Sequence, residues 1–334
     1  MTIQSELSVK PHDRLQAALT EDLAQVNALI RERMASEHAP RIPEVTAHLV
    51  DAGGKRVRPM LTLAAAGICG YGGLYHVHLA ATVEFIHTAT LLHDDVVDES
   101  EQRRGRPSAN LLWDNQSSVL VGDYLFARAF QLMTEPERMD VLRVLSNAAA
   151  TIAEGEVLQL TAAQNLATTE ETYLKVVRGK TAALFSAATE VGAMIADAPE
   201  AVQRAFFEYG DALGISFQIA DDILDFGGVS AQTGKNIGDD FRERKLTLPL
   251  IKAIAKADEE ERTFWKRTIE KGDQQEGDLQ TCLGLLTKYG ALEEARSEAF
   301  DWSAKAKAAL DAVPEHEMKT MLSDLADYVV ARIN

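Results

Sequence analysis

Residues 74–98 read LYHVHLAATVEFIHTATLLHDDVVD, a long apolar stretch that ends in three aspartates. A second stretch, 199–226, has the same character and ends in FQIADDILDF (217–226). Neither stretch alternates apolar and polar residues as a half-buried strand would. Both therefore predict long helices that are apolar over much of their surface, as in the centre of a helical bundle.

The helical period continues along the rest of the chain. In 13–36, five apolar residues recur near one face: Leu15, Leu19, Leu23, Val26 and Ile30. Further helices are predicted at 44–51, 59–70, 117–134, 137–164, 169–196, 244–257, 258–271, 278–289, 291–311 and 314–333. Loops are predicted at 99–116, 227–243 and 272–277. Because no linker divides the chain, we expect one all-α domain over 1–334, a large helical bundle, with 1–12 as a flexible N-terminus.

Composition and charge exclude several classes of protein. With 46% hydrophobic and 25% charged residues, the chain is typical of an ordinary soluble globular protein. Its 51 acidic and 34 basic residues give a net charge of −17, which disfavours binding to nucleic acid. Cys69 and Cys282 have neither disulfide nor zinc-site spacing, which predicts a reducing compartment. Without a secretory signal or a membrane-spanning segment, we expect a cytoplasmic protein.

The two acidic motifs share the pattern DDxxD. They consist of Asp94, Asp95 and Asp98 in the first motif and Asp221, Asp222 and Asp225 in the second. Positions i and i+4 lie one helical turn apart, so the outer carboxylates of each motif share a face. Clustered carboxylates repel one another unless a cation lies among them. Oxygen-only ligands favour magnesium, which often completes its coordination with substrate phosphates.

The motifs thus predict two acidic clusters that hold a metal-bridged diphosphate between them. A single DDxxD motif is weak evidence, because a solvated acidic helix end has the same pattern. Two such motifs, each after an apolar helix, favour the metal site.

Basic residues lie close to these motifs in sequence. Lys55, Arg56 and Arg58 follow a glycine pair, and glycine allows a backbone to approach a phosphate. The other basic candidates and an adjacent hydroxyl are Arg103, Arg104, Lys180, Thr181, Lys235 and Lys245. In an acidic chain, this clustering predicts an anion site. His87 and Gln218 lie on the two motif helices, and each is equally compatible with a hydrogen-bonded interior side chain.

In order and spacing, five motifs of the chain resemble those of the trans-isoprenyl diphosphate synthases, also called polyprenyl synthetases. These motifs are GGKRVRP (53–59), HDDVVDESEQRRG (93–105), GKTAAL (179–184), FQIADDILD (217–225) and GKNIGDDFRERKLTLP (234–249). The resemblance covers roughly residues 15–333 and is strongest to the long-chain bacterial octaprenyl to decaprenyl diphosphate synthases, which make quinone side chains.

The resemblance implies a fold and a reaction. It implies a helical bundle around a central cavity, an isoprenoid synthase-like fold, and a homodimer. An allylic diphosphate, such as farnesyl or geranylgeranyl diphosphate, would ionise, and isopentenyl diphosphate would attack the carbocation. The departing diphosphate would take the proton, so no residue is assigned as a general base. The resemblance also implies Mg²⁺, with about three ions per site.

Residue roles follow from the same resemblance. Asp94, Asp98 and Asp221 would bind magnesium. Asp95, Asp222 and Asp225 would support this set of ligands, and Asp222 and Asp225 would also bind the metal themselves. Allylic-site ligands would be Arg103, Lys180, Thr181, Gln218, Lys235 and Lys245, with Lys180 also counted as catalytic. Isopentenyl diphosphate would contact Lys55, Arg58, His87 and Arg104. The small residues Ala89 and Thr90 lie where an aromatic residue would limit chain length.

Three other functions remain open at this stage. A shorter-chain farnesyl or geranylgeranyl diphosphate synthase would share every motif. A class I terpene cyclase also ionises a diphosphate but needs no second cationic site. The motifs GGKRVRP and RRG favour the presence of such a second site and therefore disfavour a cyclase. A non-catalytic subunit of a synthase complex would keep the fold but typically lose ligand residues.

Overall fold

The computed structural model describes residues 10–51, 54–103, 105–227 and 237–333. The helices up to the one that carries the second acidic motif are α1 Pro11–Ala18, α2 Thr20–Met34, α3 Arg41–Asp51, α4 Val57–Ile68, α5 Tyr75–Val97, α6 Ala109–Leu112, α7 Asn115–Thr134, α8 Met139–Ala162, α9 Glu170–Val177, α10 Ala183–Ile195 and α11 Glu200–Gly227, which carries the motif. Those that follow are α12 Asp239–Arg242, α13 Leu248–Lys256, α14 Glu259–Trp265, α15 Asp278–Lys288, α16 Ala291–Ala309 and α17 Glu317–Ala331.

The all-α prediction is confirmed in the described part of the chain. The strands found there are β1 Gln102–Arg103 and β2 Arg106–Pro107, a short antiparallel pair inside the predicted loop 99–116. π-helical turns at Arg178–Ala182 and Lys266–Glu270 and a 3₁₀ turn at Leu310–Ala312 interrupt or extend helices. Within the described ranges, no helix is both long enough and apolar enough to cross a membrane.

Several predicted boundaries were wrong. The helix expected over 13–36 breaks at Leu19, whose φ of −110° and ψ of 18° leave the helical region, although the five predicted apolar residues are buried. Helix α1 begins at Pro11 and buries His12, so these two residues do not belong to a flexible N-terminus. Helix α4 begins at Val57, two residues before Pro59, because Arg56 supplies the preceding non-helical conformation.

The described residues cluster into two compact units. The first comprises 1–149, 184–207 and 310–322, and the second comprises 150–183, 208–309 and 323–334, in each case as far as described. In the first unit, α5 packs against α2, α4 and α7. In the second, α13 packs against α9 and α16. Each unit contains one acidic motif, and a single domain over 1–334 stays a prediction.

Candidate functional site

The first acidic motif lies at the C-terminal end of α5, where Asp98 is the C-cap residue. Asp94 and Asp98 are half-buried, whereas Asp95 is fully buried. Arg103 on β1 donates from Nε and approaches with Nη2, each 2.7 Å from Oδ1 of Asp95. Among the described residues, no donor faces Oδ2 of Asp95. Arg103 thus pairs with one oxygen of the buried carboxylate, and the described residues supply no hydrogen-bond donor to the other.

The second acidic motif is anchored by a buried network around Asp222 on α11. The Tyr173 hydroxyl donates to Oδ2 of Asp222 at 2.6 Å, and Nε2 of Gln218 donates to Oδ1 at 2.8 Å. Thr181 donates in turn to Oε1 of Gln218 at 2.9 Å. The side chains of Tyr173, Asp222, Gln218 and Thr181 therefore form one continuous hydrogen-bonded chain.

Burial dominates the protonation behaviour of this network. The pKa of Asp222 is raised to about 7, mainly because the carboxyl is buried; the hydrogen bonds from Tyr173 and Gln218 oppose this shift, and the charges of Asp221 and Asp225 add to it. Burial also raises the pKa of Tyr173, so its hydroxyl keeps its proton at neutral pH and acts as a donor. The carboxylates of α11 are crowded enough that a cation would stabilise their charged form.

The other acids of this motif meet the segment that follows it. Oδ2 of Asp225 accepts the backbone N–H of Asp240 at 3.1 Å, and its carbonyl accepts the N–H of Gly238 at 2.8 Å. Asp221 is half-buried. Nζ of Lys245, three residues after α12, lies 2.7 Å from a carboxylate oxygen of Glu243. The motif thus ties α11 to the start of α12.

Lys180 and Thr181 lie on the π-helical turn between α9 and α10. Such turns occur frequently at functional sites. Nζ of Lys180 lies 2.8 and 2.9 Å from the two carboxylate oxygens of Glu156 on α8. The two backbones approach closely there, because a Cβ on Gly155 would come within 2.7 Å of the backbone nitrogen of Lys180. Because Gly155 has no side chain, α8 can pack directly against the backbone of the π-helical turn.

Three of the four residues expected to bind isopentenyl diphosphate are described, and they lie around the start of α4. Lys55 is exposed in the preceding loop, and Arg58 lies in the first turn. Nη1 of Arg58 lies 3.3 Å from Nε2 of His87 on α5, and its guanidinium carbon lies 4.4 Å from the ring centroid of Phe185. Arg58 and His87, which are 29 residues apart in sequence, are therefore brought together.

The remaining candidates divide between described and undescribed residues. Arg104 and Lys235 lie outside the described residues. Ala89 is fully buried on α5, and the half-buried Thr90 donates to the carbonyl of His87 at 2.8 Å. His93 lies 3.1 Å from the carbonyl of Val119 and thus contributes to packing between α5 and α7.

Sequence reasoning missed three residues that contact the candidates, Glu156, Tyr173 and Phe185. It also missed Glu84, which pairs with Arg56 of the predicted basic cluster. One signal was available for Glu84, a carboxylate within the apolar run LAATVEFI (79–86), because a charge buried there needs a partner. Tyr173 precedes Lys180 by about two helical turns, but nothing in the sequence pairs it with a residue on another helix.

The residues present fit a divalent cation by the chemistry of their donors. The unmatched Oδ2 of Asp95 and the raised pKa of Asp222 both indicate carboxylates that a cation would stabilise. Over the described ranges, the side chains do not bring three or more His, Cys, Asp or Glu groups together around one point.

Comparison with known proteins places this geometry in a family. Residues 39–286 match the polyprenyl synthetase family model. The octaprenyl diphosphate synthase of Escherichia coli (strain K12) is 42% identical over 96% of this chain and 98% of its own length. Among solved structures, a decaprenyl diphosphate synthase from Rhodobacter capsulatus is 72% identical, with a TM-score of 0.94 over 97% of this chain and 99% of that one.

A third relative was solved with bound ligands. The polyprenyl synthase from Caulobacter crescentus CB15, complexed with calcium and isoprenyl diphosphate, is 48% identical, with a TM-score of 0.92 over 97% of this chain and 98% of that one. The motif resemblance is thus confirmed over nearly the whole length of the chain. This chain belongs to the polyprenyl synthetase family.

Proposed function

We propose that this chain is an all-trans long-chain polyprenyl diphosphate synthase, a prenyltransferase that adds isopentenyl diphosphate units to an allylic diphosphate primer. One observation carries the proposal: both acidic motifs are present, and each has a buried carboxylate held by its own partners. Arg103 holds Asp95, and Tyr173 and Gln218 hold Asp222. The named relatives, octaprenyl and decaprenyl diphosphate synthases, support the long-chain product.

The proposed magnesium ligands are Asp94, Asp98 and Asp221, with Asp222 and Asp225 contributing to the same shell. Magnesium bound to them would neutralise the charge that develops on the departing diphosphate. The calcium in the Caulobacter crescentus structure supports a divalent ion in this family. Asp95 and Asp222 would orient their neighbours, because both are buried and hydrogen-bonded on at least one oxygen.

The allylic diphosphate would be held by cations and hydrogen-bond donors around these acids. The proposed ligands are Arg103, Lys180, Thr181, Gln218, Lys235 and Lys245. Arginine offers a planar fork to phosphate oxygens, whereas lysine acts as a point charge. Lys180 on the π-helical turn also forms an ion pair with Glu156, which restrains the position of its ammonium group.

Isopentenyl diphosphate would bind through Lys55, Arg58, His87 and Arg104. Arg58 is already oriented by His87 and by the ring of Phe185. Such preorganisation reduces the entropy lost when the diphosphate binds. The double bond of isopentenyl diphosphate would attack the allylic carbocation, and the released diphosphate would accept the proton that is lost.

The primer, the assembly and the product's use are part of the proposal. The primer would be farnesyl or geranylgeranyl diphosphate, the enzyme would be a homodimer, and the product would become a quinone side chain such as that of ubiquinone.

The test is incubation of the purified chain with magnesium, an allylic primer and labelled isopentenyl diphosphate, followed by chromatography of the products. Octaprenyl to decaprenyl products would support the proposal. Farnesyl or geranylgeranyl products would assign a shorter-chain synthase. A cyclised product formed without consumption of isopentenyl diphosphate would assign a terpene cyclase, and no turnover would assign a non-catalytic subunit.

A further inference from the structure

Arg56 and Glu84 form a buried ion pair between the start of α4 and the middle of α5. Nη1 of Arg56 contacts Oε1 of Glu84, and the two side chains expose only 13% and 7% of their surface. Taking two charges out of water costs solvation free energy that close pairing only partly offsets. Apolar contacts would join the two helices at least as well. The pair therefore points to a role beyond packing.

The backbone of Arg56 adopts an unusual conformation. Its φ of 49° and ψ of 33° lie in the left-handed region, which disfavours a residue with a Cβ. The residue directly precedes α4, so its torsions set the path from Lys55 into the helical turn that carries Arg58. The contact with Glu84 holds the side chain of Arg56, the residue at which the backbone changes direction between Lys55 and α4.

Two arginines of this turn contact neighbouring positions on α5. Arg56 contacts Glu84, and Arg58 lies 3.3 Å from His87. Positions three residues apart share a helix face, so the two contacts register the turn against one face of α5. Their chemistry differs, because Glu84 supplies a carboxylate whereas His87 supplies an imidazole. The geometry thus uses one arginine as an anchor next to another that is proposed to bind substrate.

The pair also lines a pocket together with Thr88 and Arg103. Among the described residues that line this pocket, Glu84 alone carries a carboxylate. Without it, the guanidinium of Arg56 would share the pocket with that of Arg103 and lose its buried partner. We expect the turn before α4 to move in response.

We propose that the Arg56–Glu84 pair positions the isopentenyl diphosphate site by fixing the turn that presents Lys55 and Arg58 beside His87. This inference rests on the proposed function, which assigns those three residues to isopentenyl diphosphate. Arg56 and Glu84 are positioning residues that act through their neighbours.

The experiment measures steady-state kinetics at saturating magnesium for Glu84→Ala, Arg56→Ala and the double variant. Each single variant is expected to raise the KM for isopentenyl diphosphate by about tenfold or more, because small displacements of binding groups are costly. The KM for the allylic primer should change by less than about twofold, because other residues hold that substrate. The double variant should resemble either single variant, since paired residues act as a unit.

Conservative variants separate positioning from folding. Glu84→Gln keeps the size of the side chain and is the fallback if Glu84→Ala does not fold, and Arg56→Lys keeps the positive charge. Arg56→Lys should recover most of the affinity for isopentenyl diphosphate, whereas Glu84→Gln should recover little of it because the amide carries no charge. The matched control is Glu135→Ala, which removes an acid that contacts Arg33 at 2.7 Å and His78 on α5 at 3.1 Å. The control should lower Tm without changing the ratio of the two KM values.

Two outcomes overturn the inference in different ways. If Glu84→Ala and Glu84→Gln lower Tm but leave the KM for isopentenyl diphosphate unchanged, the pair is only structural and the proposed function stands. If Arg58→Ala itself leaves that KM unchanged, the assignment of the isopentenyl diphosphate site is wrong, and the inference fails with it.

Discussion

The hydroxyl of Tyr173 donates a 2.6 Å hydrogen bond to Oδ2 of Asp222, joining α9 to the second acidic motif across 49 residues of sequence. The tyrosine is 5% exposed and the aspartate 4%, so water does not compete freely for either group. Both oxygens of Asp222 accept a hydrogen bond, the second from Gln218. Asp222 is thus fixed in orientation, and its neighbour Asp221 is positioned by the same backbone.

Tyr173→Phe should leave Oδ2 of Asp222 buried without this donor. An unsatisfied buried group costs about 1–3 kcal/mol of stability. We expect Tm to fall and turnover to drop by about tenfold, the equivalent of about 1.4 kcal/mol of transition-state stabilisation. Tyr209→Phe is the control. Tyr209 is fully buried and lies on α11, the helix that carries Asp222, but about 20 Å away along the helix axis. Equal turnover in the two variants would show that the Tyr173 contact does not support catalysis.

Asp94→Ala or Asp221→Ala should lower turnover by at least about a hundredfold at saturating magnesium, because charge stabilisation of the departing diphosphate is lost. Circular dichroism should show a folded protein, since removing one of several carboxylates relieves repulsion. Asp327→Ala removes a half-exposed acid that pairs with Lys307 and should retain full activity. Near-normal turnover in either motif variant would contradict the metal assignment.

Arg58→Ala should raise the KM for isopentenyl diphosphate far more than that for the allylic primer. Loss of one charge-assisted contact corresponds to about 1.5–3 kcal/mol. Arg128→Ala provides the control, because Arg128 also stacks on an aromatic ring, that of Tyr124 at 4.9 Å, but is not among the proposed ligands. Equal weakening of both substrates by Arg58→Ala would mean that the division into two substrate sites is wrong.

The helices and the acidic motifs could be predicted from sequence because both depend on local patterns. Apolar periodicity identified α5 and α11, and the DDxxD spacing identified their carboxylates. The break at Leu19 and the π-helical turn at Arg178–Ala182 could not be predicted, because packing against other elements decides them. Tyr173 was missed for the same reason, and so was the pairing of Glu84 with Arg56.

Stability should depend on pH through Glu261 at the start of α14. Hydrogen bonds from Lys288 and then Tyr289 lower the pKa of this carboxyl from 4.5 to about 2. A carboxyl with a lowered pKa in the folded state stabilises the fold above its unfolded pKa, and this contribution is lost as the pH falls through the folded pKa. Glu261→Gln should therefore lower Tm at pH 7, and its difference from wild type should shrink between about pH 4.5 and 2. A difference that stays constant over this window would contradict the ion-pair explanation.

Ala89→Phe should shorten the product. The growing chain is proposed to run along α5 from the diphosphate site, past Ala89 and towards Ala81 and Thr82, all three of which are fully buried. A packed interior cannot accept a phenyl ring without displacing something. If the ring blocks the path, the variant should still consume primer and isopentenyl diphosphate but release products of geranylgeranyl length or slightly shorter.

Ala89→Val, a smaller addition, should give intermediate lengths, and a melting curve should confirm that both variants fold. Ala299→Val adds the same bulk at a fully buried alanine on α16 and should leave product length unchanged. Identical product lengths from folded Ala89→Phe and the wild type would show that the chain does not pass Ala89, and that this residue only packs α5 against its neighbours.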